Sequence, residues 1–265
     1  LTPGDVNSTL AAAIAANKTG TSLAHLESGL RSHDRTMPEE INRILVDEIS
    51  DHLFVTEKSG LHNLADVVDG AKRIHFVGNT MIDTLVAFQP QIQASSILTE
   101  CQLEEGKFVL MTMHRPATVD HLEGLQLIID VLGLCAPRKV LFPMHPRTLA
   151  RFEEFGLKSA LMDVSHLVLT EPLGYFAFQR LVESAEFILT DSGGIQEEST
   201  FKQVPCITVR PNTERPITCE IGTNVLVESK LDSISKAIQE MDCSNAKIPD
   251  LWDGHSTERV LEVFA

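Results

Sequence analysis

The stretch "TDSGGIQEES" (residues 190–199) follows the apolar run "AEFIL" (residues 185–189). Its glycine pair is followed by the adjacent acids Glu197 and Glu198. An apolar run that ends in polar residues and a glycine pair predicts a buried strand, a tight turn and a helix. A Ser-Gly-Gly turn alone is often only a helix cap. Whether this turn has a functional role therefore depends on the residues that the other strands place beside it.

The strand–turn–helix pattern recurs along the chain. Continuous apolar runs such as "FVLMTM" (108–113) and "KVLFPM" (139–144) alternate with helical patterns. This alternation predicts parallel sheets covered by helices on both faces, and continuous apolar strands fit burial on both sides. The fold class predicted is α/β. The nine strand candidates are 21–27, 52–56, 73–78, 107–114, 139–145, 167–171, 185–191, 204–210 and 224–228.

A weakly patterned segment, 87–106, separates the first three strand candidates from the last six. Six strands suffice for one complete doubly wound domain, whereas three do not. The chain also opens on what resembles the tail of a strand, so the first domain is expected to be incomplete on its N-terminal side. We expect a remnant of a Rossmann-like domain over 1–88, a complete Rossmann-like domain over 89–250, and a helix over 251–265 that crosses back to the first domain.

Composition narrows the class of partner. The 265 residues include 22 basic and 37 acidic ones, a formal net charge of −15. An acidic excess argues against nucleic-acid binding, which needs a basic surface. No apolar run reaches the ~18 residues that span a bilayer, no signal peptide is recognisable, and the five cysteines form no CxxC pair. We expect a cytoplasmic protein without a nucleic-acid or membrane partner.

Polar residues follow six of the strand candidates. Ligands of open α/β sheets bind beyond the carboxyl ends of the strands, so these residues are expected to converge on one cleft. Neither a GxGxxG nor a GxxxxGK[ST] motif occurs, and the His and acidic residues lack HxH, HExxH or DxD spacing, so no metal or other cofactor is expected. The strand-end residues are Glu27, Ser28, His114, Arg115, His145, Arg147, Glu171, Asp191, Ser192, Gly193, Gly194, Arg210, Glu214 and Arg215.

Each feature also has a purely structural interpretation. A lone histidine at a strand end is more often a hydrogen-bonded structural residue, but His114 and His145 occupy matching positions close to arginines. Glu39 and Glu40 directly after Pro38 are explained equally well as the first turn of a helix, where proline and acids are favoured. The case for a ligand site therefore rests on the combination.

The combination resembles the non-hydrolysing UDP-N-acetylglucosamine 2-epimerases over almost the whole chain. The resemblance implies two Rossmann-like domains of GT-B-like architecture, interconversion of UDP-GlcNAc and UDP-ManNAc for polysaccharide biosynthesis, and a homodimer. The family's opening strand and basic loop have no counterpart here, and Ala117 and Thr118 replace a common Glu-Asn pair. The matching stretches are "GDVNST", "HLESGLRS", "MPEEINR", "VGNTMIDTL", "MHRP", "PMHPRT", "EPLGY", "TDSGGIQEE" and "NTERPITCEIGTN".

The resemblance also implies roles for residues. Asp5, Glu27 and Glu39 match the family's catalytic carboxylates, and Glu198 matches its ribose-binding acid in the UDP-binding segment 89–250. Histidines, arginines and helix N–H groups suit a departing diphosphate. The candidate catalytic residues are Asp5, Glu27, Glu39 and His114, and the candidate substrate-binding residues are His145, Arg147, Ser192, Gly193, Gly194, Glu198 and Arg215.

The predicted reaction is elimination of UDP to 2-acetamidoglucal followed by re-addition, because the sugar C2–H is not acidic until the anomeric bond breaks. Three related alternatives remain at this point: an epimerase of a modified UDP-sugar such as a 2,3-diacetamido uronic acid, a hydrolysing epimerase that releases free ManNAc, and a GT-B glycosyltransferase. The fourth alternative is a chain that binds UDP-sugars without turnover.

Overall fold

The computed structural model describes residues 1–65 and 73–265. All strand pairs within these ranges are parallel. The strands are β1 Thr2–Pro3, β2 Ala24–Ser28, β3 His52–Val55, β4 Ile74–Phe76, β5 Phe108–Thr112, β6 Lys139–Pro143, β7 Leu167–Thr170, β8 Phe187–Thr190, β9 Cys206–Val209 and β10 Asn224–Val227. The nine predicted strands are all present, and the α/β class is confirmed.

Helices alternate with these strands. They are α1 Asn7–Thr19, α2 Pro38–Ile49, α3 Lys58–Leu64, α4 Thr80–Ala87, α5 Gln89–Gln93, α6 Ile97–Glu100, α7 Pro116–Val119, α8 Leu122–Cys135, α9 Pro146–Glu154, α10 Lys158–Met162, α11 Tyr175–Ser184, α12 Gly194–Lys202, α13 Ile217–Glu220, α14 Leu231–Glu240 and α15 Ser256–Phe264. No helix in the described ranges combines the length and the apolar character that a membrane crossing needs.

The chain forms two compact units. The C-terminal helix and a short segment after β9 both belong to the first one. The functional roles predicted for 1–88, 89–250 and 251–265 stay predictions. Unit 1 comprises Leu1–Ala87, Thr213–Glu220 and Pro249–Ala265, and unit 2 comprises Phe88–Asn212 and Ile221–Ile248.

Unit 1 is built on a four-stranded sheet with the order β1-β2-β3-β4. Its strands bury Leu26 and Phe54 together with Val260 of α15. The Trp252 indole N–H donates to the Thr56 carbonyl at 3.0 Å, which ties the segment before α15 to the end of β3. Burial of the Trp252 side chain and this hydrogen bond together anchor the C-terminal segment within unit 1.

Unit 2 is built on a six-stranded sheet with the order β10-β9-β8-β5-β6-β7. The chain starts at β5, winds outward through β6 and β7, and then returns to β8 on the other side of β5. This is a complete doubly wound sheet with its switch point between β5 and β8. Separate apolar clusters cover its two faces, one around Phe142 and Phe187 and the other around Phe108 and Leu141. The strands read as continuous apolar runs because both faces are buried.

Candidate active site

Asp191 lies at the switch point of unit 2, directly after β8, and is fully buried. Its carboxylate accepts the backbone N–H of His114 at 3.0 Å and that of Arg115 at 2.8 Å. The His114 ring nitrogen Nδ1 lies 3.0 Å from the same carboxylate. Burial raises the pKa of Asp191, but the hydrogen bonds from His114 and Arg115 outweigh burial and hold that pKa below its ordinary value.

An ionised Asp191 can only accept hydrogen bonds, so Nδ1 of His114 carries the proton that it donates. In the neutral form of the ring the other nitrogen, Nε2, carries the lone pair. The His114 side chain is 55% exposed, so this nitrogen is accessible. The sequence identified His114 as a candidate, and the structure adds the buried carboxylate that orients it.

A cavity of about 420 Å³ adjoins this dyad in unit 2. Both histidines that the sequence placed at strand ends line it, together with Arg147. The cavity therefore has both polar and apolar walls: two histidines and an arginine lie beside apolar side chains. The residues that line it are Thr112, Met113, His114, Pro143, His145, Arg147, Thr148, Pro172, Leu173 and Phe178.

His145 and Arg147 are tied into the start of α9. The His145 ring caps the helix by accepting the Arg147 backbone N–H at 3.2 Å. The Arg147 guanidinium forms an ion pair with Asp120 at 2.7 Å while remaining largely exposed. Both residues thus have structural partners, and their predicted contact with substrate stays a prediction.

Ser192, Gly193 and Gly194 form the turn into α12. The Ser192 N–H donates to the Thr190 hydroxyl at 2.9 Å. Gly193 has φ −73° and ψ −51°, a conformation open to any residue. The glycine is therefore not required by the backbone, and what it contributes is the absence of a side chain at a helix start, where anions bind backbone N–H groups.

Glu198 projects from α12 and is only 8% exposed. Burial raises its pKa to about 7; a hydrogen bond with Gln179 opposes this effect and the nearby Glu197 adds to it. Burial and the charge of Glu198 also raise the pKa of Tyr175 to about 12. Glu198 is therefore a carboxyl that changes its protonation state near neutral pH.

Glu27 is the second notable acid, and it lies in unit 1. It occupies a bulge in β2, where the pairing with β3 shifts between Leu26 and Ser28. Its φ is +67°, in the left-handed region that non-glycine residues rarely adopt. The Arg215 guanidinium lies 3.7 Å from its carboxylate. Bulges and strained residues that re-aim a side chain cluster at functional sites.

Asp5 directly follows a glycine that lies next to Glu27. A Cβ placed on Gly4 would be 4.0 Å from Glu27 Oε1, so the Glu27 carboxylate adjoins the residue before Asp5. Asp5 forms an ion pair with the buried Arg43, and the Asn42 side chain donates to the Asp5 carbonyl at 2.8 Å. The structure thus places Gly4, the neighbour of Asp5 in sequence, and the Arg215 side chain beside Glu27 in unit 1.

The two acids at the start of α2 differ in environment. Glu39 is exposed in the first helical turn. Glu40 is buried and accepts the backbone N–H groups of Ser32 at 2.7 Å and His33 at 3.2 Å. Glu40 therefore fixes the loop that precedes the helix. The catalytic role predicted for Glu39 stays a prediction.

Sequence reasoning missed a buried cluster beneath Asp5 and Glu27: His25, Asp47 and Arg31. A signal was available, because Glu40, Arg43 and Asp47 follow i, i+3, i+7 spacing and therefore share one face of α2. It is unusual for one face of a helix to carry three charged residues and no stripe of apolar residues. Among the described residues, no group of three or more His, Cys, Asp or Glu side chains could hold a metal ion.

The fold and these sites place the chain among the doubly wound α/β proteins that bind ligands beyond the carboxyl ends of their strands. The family described as UDP-N-acetylglucosamine 2-epimerase matches residues 1–265, and the chain belongs to it. The resemblance inferred from the sequence motifs is confirmed.

Individual relatives agree. A UDP-N-acetylglucosamine 2-epimerase of Methanococcus maripaludis is 38% identical over 271 residues, which cover 99% of this chain and 74% of that protein. A UDP-2,3-diacetamido-2,3-dideoxy-D-glucuronate 2-epimerase of Pseudomonas aeruginosa is also 38% identical, over 89% of this chain and 68% of that protein. The crystal structure of the Methanocaldococcus jannaschii UDP-GlcNAc 2-epimerase with UDP-GlcNAc and UDP matches with a TM-score of 0.89 at 38% identity, covering 99% of this chain and 74% of that one.

Proposed function

We propose that this protein is a non-hydrolysing UDP-GlcNAc 2-epimerase that interconverts UDP-GlcNAc and UDP-ManNAc. The observation that carries the proposal is the match, over 99% of the chain, to a structure solved with UDP-GlcNAc and UDP. The paired sets of residues described above supply the two kinds of chemistry that this reaction needs.

The reaction needs the anomeric C1–O bond to break before or while the C2 proton leaves. UDP departs with the bonding electron pair, a base takes the proton from C2, and the C1=C2 double bond of 2-acetamidoglucal forms. In the reverse direction a proton is delivered to the opposite face of C2, and UDP re-adds at C1. The protein must therefore hold a diphosphate and offer acid–base groups to the sugar.

Unit 2 carries the residues that we assign to UDP. The backbone N–H groups of Gly193 and Gly194 at the start of α12 favour an anion, and we assign the Ser192 side chain to the same diphosphate. Nε2 of His114, oriented through Asp191, is available to take up or deliver a proton at the departing diphosphate. Glu198 in its ionised form can accept hydrogen bonds from both ribose hydroxyls.

Unit 1 carries the acid–base groups. The Arg215 guanidinium lies 3.7 Å from the Glu27 carboxylate, and Gly4, which precedes Asp5, lies on another side of it. We assign proton transfer at C2 to the set Asp5, Glu27 and Glu39, as the family resemblance implies. His145, Arg147 and Arg215 complete the proposed substrate contacts.

A second candidate is epimerisation of a modified UDP-sugar. It is favoured by the Pseudomonas aeruginosa relative, which is as similar in identity as the Methanococcus maripaludis one. Its substrate differs at C3 and C6 while the chemistry at C1 and C2 is the same. The two candidates therefore predict the same roles for Glu27 and Glu198 and different substrate preferences.

The test is incubation with UDP-GlcNAc in D₂O, with C2 followed by NMR. UDP-ManNAc carrying deuterium at C2 supports the proposal, whereas free ManNAc indicates hydrolysis. Turnover of only the 2,3-diacetamido uronic acid substrate supports the second candidate, and UDP binding without exchange on either sugar refutes both. Glu27→Gln should stop exchange and keep UDP binding, whereas the exposed-residue control Glu104→Gln should leave both unchanged.

A homodimer and a cytoplasmic location, both implied by the family resemblance, belong to the same proposal. Sedimentation equilibrium of the purified chain measures the first. A single monomeric species at micromolar concentration would contradict the dimer without affecting the proposed chemistry.

A further inference from the structure

Helix α2 buries a face that is mostly charged. Of its five buried residues only Val46 is apolar; the others are Glu40, Asn42, Arg43 and Asp47. Buried charges are costly unless each is paired and hydrogen-bonded. Glu40, Asn42 and Arg43 hold the loops around Asp5 and Ser32, as described above. Asp47 holds a different set of partners, beneath the ends of β1 and β2.

Asp47 lies at the centre of a network of short hydrogen bonds and ion pairs. Its Oδ1 lies 2.6 Å from Nδ1 of His25, and both side chains are fully buried. Its Oδ2 lies 2.7 Å from the Arg31 guanidinium and accepts the Gly29 N–H at 3.1 Å. A carboxyl that faces an arginine and accepts a backbone N–H on one oxygen is in its ionised form.

The donor and acceptor roles then fix the protons on His25. Its Nε2 lies 2.8 Å from the Gly4 carbonyl oxygen, which can only accept, so Nε2 carries a proton. Its Nδ1 faces the ionised Asp47, which also can only accept, so Nδ1 carries a proton too. Both ring nitrogens of His25 thus face anchored acceptors, an arrangement that a ring with two N–H groups satisfies.

The two ends of this network of hydrogen bonds adjoin the proposed catalytic acids in sequence. Gly4 directly precedes Asp5, and Gly29 follows Glu27 by two residues. Gly29 has φ +79°, and a Cβ there would lie 2.5 Å from the Gly60 carbonyl oxygen. The turn after Glu27 therefore has no room for a side chain at residue 29. His25 and Asp47 thus fix the backbone on both sides of the bulge that carries Glu27.

We propose that His25, held as an imidazolium by Asp47, is a positioning residue that sets the geometry of Asp5 and Glu27. The role in catalysis rests on the proposed function, whereas the protonation and the contacts do not. The mechanism expected is geometric: His25 fixes the Gly4 carbonyl, and Asp47 fixes the Gly29 N–H. A misplacement of reacting groups by about 1 Å can cost about a hundredfold in rate.

The first test needs no substrate. Nitrogen-15 NMR of the ring nitrogens at pH 7 should show His25 with two N–H groups, both slow to exchange with solvent. Asp47→Asn removes the negative charge and should convert His25 to a ring with one N–H. A single N–H in the unmodified chain overturns the proposal, whatever the outcome of any activity assay.

The second test separates positioning from folding. His25→Gln places an amide N–H near the position of Nε2 and keeps a donor to Gly4, whereas the shorter His25→Asn loses it. In the D₂O exchange assay we expect kcat to fall about tenfold for His25→Gln and about a hundredfold for His25→Asn, with KM and the Kd for UDP within about twofold of the original.

His166→Gln is the matched control, because His166 Nε2 also bonds a backbone carbonyl, that of Leu132, at 2.7 Å in unit 2. It should leave kcat unchanged. A purely structural role of His25 predicts instead that kcat and the stoichiometry of UDP binding fall together, and that outcome overturns the proposal. Absence of exchange in the unmodified chain would refute the proposed function and leave the NMR result as the test of His25.

Discussion

Glu198→Gln should make the protein more stable at alkaline pH and nearly unchanged at acidic pH. The folded-state pKa of Glu198 is about 7 against an ordinary value of 4.5, because the carboxyl is buried. Between these two values the folded protein binds more protons than the unfolded chain, so the free energy of unfolding of the unmodified protein falls as pH rises from 4.5 to 7. At about 1.4 kcal/mol per pKa unit, the loss reaches about 3 kcal/mol.

Glutamine has a similar shape and cannot ionise, so the free energy of unfolding of the variant does not fall in this pH range. Urea unfolding at pH 8 should therefore show Glu198→Gln to be about 3 kcal/mol more stable than the unmodified protein, and at pH 5 the difference should be below about 1 kcal/mol. The exposed Glu240 is the control residue: Glu240→Gln should show no comparable dependence on pH. A stability difference of equal size at pH 5 and pH 8 would refute the reasoning.

Three further outcomes are expected. If Glu198 accepts the ribose hydroxyls as an anion, UDP binding at pH 7 releases about half a proton, because a group with a pKa of about 7 is half protonated there; calorimetry in two buffers of different ionisation enthalpy detects the release, and Glu198→Gln should remove this contribution to the buffer difference. Asp191→Asn should lower kcat for C2 exchange at least about tenfold and shift its pH profile, because His114 loses the acceptor that fixes its tautomer; an unchanged profile would contradict that role. Glu27→Gly should be about 1 kcal/mol more stable to urea than Glu27→Ala, because only glycine adopts φ +67° without strain; equal stabilities would show that the bulge is unstrained.

The sequence determined the fold class and the position of every predicted strand, because strands buried on both faces read as continuous apolar runs. It also identified His114 and His145 as candidates, because ligand-binding residues of such sheets follow the strands directly, and Glu198 through the family resemblance. The same rule identified Glu27, which the structure places in a bulge near the end of β2. These signals are local patterns of apolar and polar residues, and such patterns can be recognised in the linear sequence.

The tertiary structure decided the environment of each candidate. It buried Glu198 and thereby raised its pKa, paired Asp191 with His114, and placed Glu27 in a left-handed bulge beside Arg215. It also assigned Arg215 to unit 1 although the residue lies within 89–250 in sequence. No local pattern encodes these features, because each depends on residues far apart in the chain: dielectric environment, charge pairing and backbone strain arise only when distant segments pack together.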